Sequence, residues 1–224
     1  MRLLHRFFPR GSDPKADAEF SYWRERRDTQ GPVEQGADHY KFVFTEPFGL
    51  TEDFYAGKRL VDIGCGPRGS LTWAGMAEQR VGVDPLVPRY RELQQGDHGM
   101  DYVATGAESI PFPDGHFDVV STINSLDHVE DVDRAIAEIT RVTKAGGSLL
   151  LLVDVGHAPT PTEPHELAWD LPARFDDNWE LVFRRDYERA SDNMLDNLWA
   201  NRPFDHTNDT QRPGVLCARF ERTG

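Results

Sequence analysis

The chain has 224 residues, enough for one well-buried domain with an appendage. Its 25 Lys and Arg stand against 38 Asp and Glu, a formal net charge of -13, and a field of that sign opposes nucleic acid and anionic membrane and favours a small-molecule partner. Two cysteines, Cys65 and Cys217, cannot build a disulfide framework and fit a reducing, cytoplasmic setting.

The opening MRLLHRFFPR is basic and apolar, but His5 and Arg6 interrupt it and Pro9 ends it, so it is too short for a signal-peptide core and reads as a frayed terminus. No stretch approaches membrane-spanning length, and no integral membrane association is expected. Residues 13–29 read as a helix with Asp13 as cap, Pro14 in the first turn and Phe20 and Trp23 on one face. Residues 31–57 mix aromatics with breakers and should lie over a sheet as cap or lid, giving an N-terminal segment 1–57 and a sheet domain 58–224. If that segment is helical at His39 and Tyr40, the two side chains lie about 100° apart and flank one opening, which makes both candidates for the catalytic site.

KRLVDIGCGPRGS, residues 58–70, is the centre of the chain: Leu60, Val61 and Ile63 suit a strand buried on both faces, and Gly64 and Gly66 allow a tight turn against a ligand. A helix at about 69–79 should follow, then a strand 80–84, a short helix near 88–95 and a strand 101–104. Strand 116–123 leads to NSLDHVED, and a helix over 131–143 carries Val132, Ala135, Ile136, Ile139 and Val142 at helical spacing. The apolar strand SLLLLVDV, a Pro- and Thr-rich loop with a short helix, and strands 178–184 and 214–221 complete the chain, with residues 186–213 left unassigned. The alternation argues for an α/β fold, a Rossmann-like doubly wound, mostly parallel seven-stranded sheet with an N-terminal helical cap.

GCGPRG fits the dinucleotide fingerprint G-x-G-x-x-G, with Asp84 twenty residues past Gly64, so the turn alone admits either a dinucleotide or S-adenosylmethionine. Asp62 separates the two, because a carboxylate beside the turn repels a pyrophosphate and attracts an ammonium group. VDIGCGPRG, GVDP, GAESIPFPDGHFDVV, NSLDHVED and RVTKAGGSLLL, in that order and spacing, resemble the class I S-adenosylmethionine-dependent methyltransferases, most closely their type 11 group, over residues 58 to about 154.

The resemblance implies that Asp62, Gly64, Cys65 and Gly66 line the methionine part of S-adenosylmethionine, that Asp84 with Pro85 takes the ribose, and that Glu108 or backbone around Ala107 meets adenine, since Gly106 stands where relatives have Asp. Asn124, Asp127 and His128 take positions that line the methyl-transfer site in relatives, with His128 either a loop-holding residue or a general base. Arg68 either binds an anionic group or faces solvent. His157 and His165 with Glu163 and Glu166 fit no ligand motif, so no metal is expected. The function implied is methyl transfer to an O or N atom of a small molecule such as a sugar, glycan precursor or secondary metabolite, by a monomer or homodimer. The alternatives are an NAD-dependent oxidoreductase and a non-catalytic cofactor-binding protein.

Overall fold

The structure is a computed structural model that describes residues 13–30, 36–94, 97–175 and 178–224, with the side chains of residues 30 and 36–39 outside the described set. Seven strands form one sheet: β1 (Arg59–Ile63), β2 (Gln79–Val83), β3 (Asp101–Val103), β4 (Phe117–Ile123), β5 (Thr143–Val155), β6 (Trp179–Glu188) and β7 (Gly214–Arg222). Their order is β3-β2-β1-β4-β5-β7-β6, parallel through β5 and antiparallel where β7 joins β5 and β6. All seven expected strands are present. The order of the strands reverses at β1, with β2 on one side and β4 on the other, and a crevice outside the carboxyl ends there is the general ligand position of such sheets.

Alternation along the strands splits the core into two layers. Val61, Val120, Leu149, Leu151, Leu216 and Ala218 pack against the apolar stripe of α4 (Val132–Val142), whose first turn is capped by the Asp131 side chain accepting from the Arg134 N–H at 3.1 Å. On the other face, Leu60, Val119, Leu150, Leu152, Val215 and Cys217 meet Val43, Phe44, Phe48 and Tyr55. These four belong to α2 (Gly36–Thr45) and the two short 3-10 turns that follow it. The second half of the segment expected as cap or lid is therefore core, and the helix that crosses the carboxyl ends of the strands is α1 (Pro14–Gln30).

The helix expected at about 69–79 is absent. Residues 64–78 instead form consecutive tight turns, with Thr72 N–H donating to Gly69 O, Ala74 to Leu71 and Ala77 to Ala74, each three residues back. Gly69 at φ +67° lies in the left-handed region, which a right-handed helix cannot contain, and Pro67 has no N–H to give. The helix expected near 88–95 is shortened to α3 (Val87–Tyr90). The unassigned stretch contains α5 (Met194–Ala200), capped by Asn193. Among the described residues, no helix is long and apolar enough to cross a membrane.

Phe48 is wholly buried beneath β7, beside Pro47, whose carbonyl accepts from the Cys217 thiol at 3.3 Å. Phe48→Ala should cost roughly 3–5 kcal/mol by cavity formation. Urea unfolding followed by circular dichroism would measure it, and a loss under 1 kcal/mol would mean that this segment does not pack as core.

Candidate active site

The carboxyl end of β1 carries a buried carboxylate. Asp62 is 2% exposed; its Oδ1 accepts from Ser121 Oγ on β4 at 2.7 Å and its Oδ2 from Ser70 Oγ in the turn segment at 2.5 Å. Burial raises its pKa to about 7 against the pull of those two hydroxyls. At the end of β2, Asp84 accepts from the Gly66 N–H at 3.2 Å and the Leu86 N–H at 2.8 Å, and burial raises it to about 6. Two buried carboxylates thus flank the glycine turn.

The turn itself is fixed by close approach. Gly64 has φ +75°, and a Cβ there would lie 2.2 Å from the Cβ of Ser125 in the loop after β4. Ser125 Oγ contacts Thr122 Oγ1 at 2.8 Å and donates to Ile63 O at 2.7 Å, so the loops after β1 and β4 are held together. Gly66 supports a second contact, since the Trp23 ring of α1 lies 3.2 Å from where its Cβ would be. Arg68 stacks over that ring at 5.4 Å, and Phe20, one turn earlier, is buried with Leu86, Tyr90 and Leu93.

The other expected residues fall in varied places. Cys65 is buried with its sulfur directed at Gly82, and burial holds its thiol well above the usual range, so it offers the crevice only backbone. Pro85 is exposed beside Asp84. The Ala107 side chain is core, and Glu108 Oε1 accepts from the N–H groups of Glu130 at 2.7 Å and Asp131 at 3.1 Å, tying the adenine-side loop to the start of α4. Asn124 has φ +51°, a strained conformation for a side-chain-bearing residue, and its buried Oδ1 has no hydrogen-bond partner among the described residues. The Tyr40 hydroxyl is buried, which drives its pKa up, and it lies in the fields of Arg68 and Asp62. His39 belongs to α2, and its side chain lies outside the described residues.

His128 follows β4 in a short 3-10 turn (Leu126–His128). Its Nδ1 lies 3.3 Å from Glu19 Oε1 on α1, and the Lys15 ammonium donates to its carbonyl. Its Nε2 lies 4.0 Å from Asp127 Oδ1 and 3.8 Å from Glu163 Oε1. Burial opposes its positive charge, but Glu19, Asp127 and Glu163 together raise its pKa. Sequence reasoning missed Glu19, because nothing local marks it; only the passage of α1 over the crevice brings it to His128.

Residues 61–151 match the family profile described as a methyltransferase domain. The chain is 39% identical over 88 residues to the ubiquinone/menaquinone biosynthesis C-methyltransferase UbiE of Shewanella piezotolerans, covering 39% of this chain and 34% of that protein. It is 30% identical over 134 residues to the uncharacterized methyltransferase YcgJ of Bacillus subtilis, covering 54% of this chain and 53% of that one. The chain thus spans between about a third and a half of the length of these curated relatives. The crystal structure of YcgJ superposes with TM-score 0.57 at 18% identity, over 84% of this chain and 99% of that one. An S-adenosylmethionine-dependent methyltransferase from Mesorhizobium loti gives TM-score 0.56 at 19% identity, over 75% of this chain and 92% of that one. Residues 61–151 thus match a methyltransferase domain, and the whole sheet shares its fold with S-adenosylmethionine-dependent methyltransferases.

The raised pKa values carry a sign for stability. Between about pH 4 and pH 7 the native state retains protons on Asp62 and Asp84 that the unfolded chain has released, so their contribution falls as pH rises through that window. Asp62→Asn should flatten the fall in urea midpoint measured from pH 5 to pH 7.5; a slope identical to wild type would show that Asp62 titrates normally.

Proposed function

We propose that this methyltransferase domain binds S-adenosylmethionine in the crevice at β1, β2 and β4 and transfers its methyl group to a small molecule. The observation that carries the reading is the pair of buried carboxylates, Asp62 and Asp84, around a glycine turn that opens no helix. A dinucleotide pyrophosphate needs the positive end of a helix and N–H groups free of nearby anions. Here a cationic ligand fits better: the sulfonium and ammonium groups of S-adenosylmethionine meet a field set by Asp62, Asp84 and Glu19, which lies near Asp84. The unpartnered Asn124 Oδ1 is a free acceptor for an amino group on the same side. Asp84 would accept from the ribose hydroxyls through lone pairs that the Gly66 and Leu86 N–H groups leave open.

S-adenosylmethionine brings the activated methyl and its own leaving group. What the chain supplies is position, and holding donor and acceptor in near-attack geometry is worth roughly 7–11 kcal/mol. α1 lies over the crevice, with Trp23 against Gly66 and Glu19 beside His128, where it would shield a bound ligand from water. In this reading His128, on the loop after β4, borders the acceptor side and would take a hydroxyl acceptor's proton. Our reading takes an oxygen or nitrogen of a small metabolite as the acceptor. Transfer to carbon is the second reading, favoured by the C-methyltransferase named among the curated relatives. The acidic surface, net charge -13, supports a small-molecule acceptor over nucleic acid.

Asp84→Ala should weaken S-adenosylmethionine binding at least a hundredfold, about 2.7 kcal/mol, by calorimetry. Near wild-type affinity, or tighter binding of NAD, would reject the crevice assignment. His128→Ala should lower turnover on a methyl-accepting metabolite more than tenfold with cofactor affinity within threefold; equal turnover from pH 6 to 9 would leave His128 only its loop contacts. Product analysis with isotope-labelled methyl donor decides between oxygen, nitrogen and carbon.

A further inference from the structure

Next to the acceptor side, three side chains from separate parts of the chain converge: Asp127 after β4, His157 just after β5, and Glu163 in the Pro- and Thr-rich loop. One ligand atom from each lies within 4.8 Å of the others. Asp127 is wholly buried, and among the described residues neither of its carboxylate oxygens has a donor within hydrogen-bond distance. Leaving a carboxylate buried in this way is among the costliest arrangements a fold can hold without a compensating charge. Its nearest counter-groups are His157 Nε2 at 3.8 Å from Oδ2 and His128 Nε2 at 4.0 Å from Oδ1. A protonated imidazole paired with a carboxylate would close to about 2.7–2.9 Å. These separations instead resemble the edges of a coordination polyhedron, since donors at about 2.1 Å from a tetrahedral ion lie about 3.4 Å apart.

The imidazoles are oriented for ligation. His157 Nδ1 lies 3.0 Å from Ala158 O, where it can only donate, so Nε2 is the ring nitrogen that faces Asp127. That Nε2 is itself buried with no acceptor within hydrogen-bond distance among the described residues. His128 repeats the arrangement, with Nδ1 towards Glu19 Oε1 and Nε2 towards Asp127 and Glu163. The nearby Arg189 and Lys15 are engaged elsewhere, with Asp154 at 3.2 Å and Glu130 at 3.1 Å, and Glu163 accepts from Thr160 Oγ1 through Oε2 at 3.0 Å, leaving Oε1 towards His128.

From this geometry we infer that Asp127, His157 and Glu163 bind a divalent transition-metal ion, with His128 Nε2 at its edge. Two carboxylates and an imidazole that releases its Nε2 proton on binding match a doubly charged ion in charge. The mixed nitrogen and oxygen set selects zinc or manganese over magnesium, which prefers oxygen and water. The ion's place beside the methyl acceptor rests on the methyltransferase reading; its binding does not.

The test uses the full chain without a polyhistidine tag, stripped of metal by chelator dialysis and titrated with Zn2+ and Mg2+ by calorimetry. One Zn2+ should bind per chain, at least tenfold tighter than Mg2+, and Asp127→Asn and His157→Ala should each weaken it at least tenfold. Should either variant unfold by circular dichroism, the half-buried Glu163→Gln replaces it, with the d–d absorption of bound Co2+ as readout. Equal Zn2+ affinity in wild type and folded variants, an unchanged Co2+ spectrum in Glu163→Gln, or no saturable binding would overturn the inference. Titrating S-adenosylmethionine with and without Zn2+ keeps the two readings apart: metal binding without cofactor binding rejects the methyltransferase reading and leaves the metal site standing.

Discussion

The buried carboxylate of Asp62 is the contact on which the rest of the crevice depends. A carboxylate at the end of a central parallel strand is costly to bury, and the fold offsets that cost with two hydroxyl donors drawn from different elements, Ser121 on β4 and Ser70 in the turn segment. Three parts of the chain are thereby pinned around one charge. The pinning matters because the segment after the glycine turn has no helix to stiffen it. Its conformation is set instead by Gly69 and short turns, by the Ser125 contact at Gly64, and by the Asp84 bond to the Gly66 N–H.

α1 is held over this frame through side chains rather than backbone. Phe20 sits among Leu86, Tyr90 and Leu93, Trp23 lies against Gly66, and Arg89 reaches both the Phe20 ring and Asp17. Its polar contacts, Lys15 to the His128 carbonyl and Glu19 to the His128 ring, reach the loop after β4. Such contacts fix a roof while leaving it separable from the sheet, unlike the segment around Phe44 and Phe48, which is buried in the core of the opposite layer. The helix that borders the ligand space and the segment that stabilises the sheet are thus different parts of the N-terminal region.

The electrostatics of the crevice and of the whole molecule point the same way. The protein carries a net charge of -13, and the buried groups nearest the glycine turn are again carboxyl groups, whose ionised form a cationic ligand favours. Cationic groups are admitted, and phosphate-rich ligands meet repulsion without the compensating helix dipole. The same surplus of carboxylates continues past the acceptor side to Asp127, Asp154 and Glu163, of which Asp154 pairs with Arg189.

The inner strands were legible in the sequence because burial on both faces leaves a strong apolar signature, and α4 because its apolar positions recur at helical spacing. The glycine turn, Asp62 and Asp84 were legible for a similar reason: ligand-side residues at strand ends keep fixed local spacing. The missing helix after β1 was not, since Leu71 and Ala74 are buried much as helical residues would be, and the left-handed Gly69 shows its effect only in three dimensions. Glu19 beside His128, and Asp127 beside His157 and Glu163, are separated by 109, 30 and 36 residues of chain respectively, so no spacing rule joins them. The parallel crossovers that bring separate loops to one edge of the sheet made those groups neighbours, and only the tertiary structure decided it.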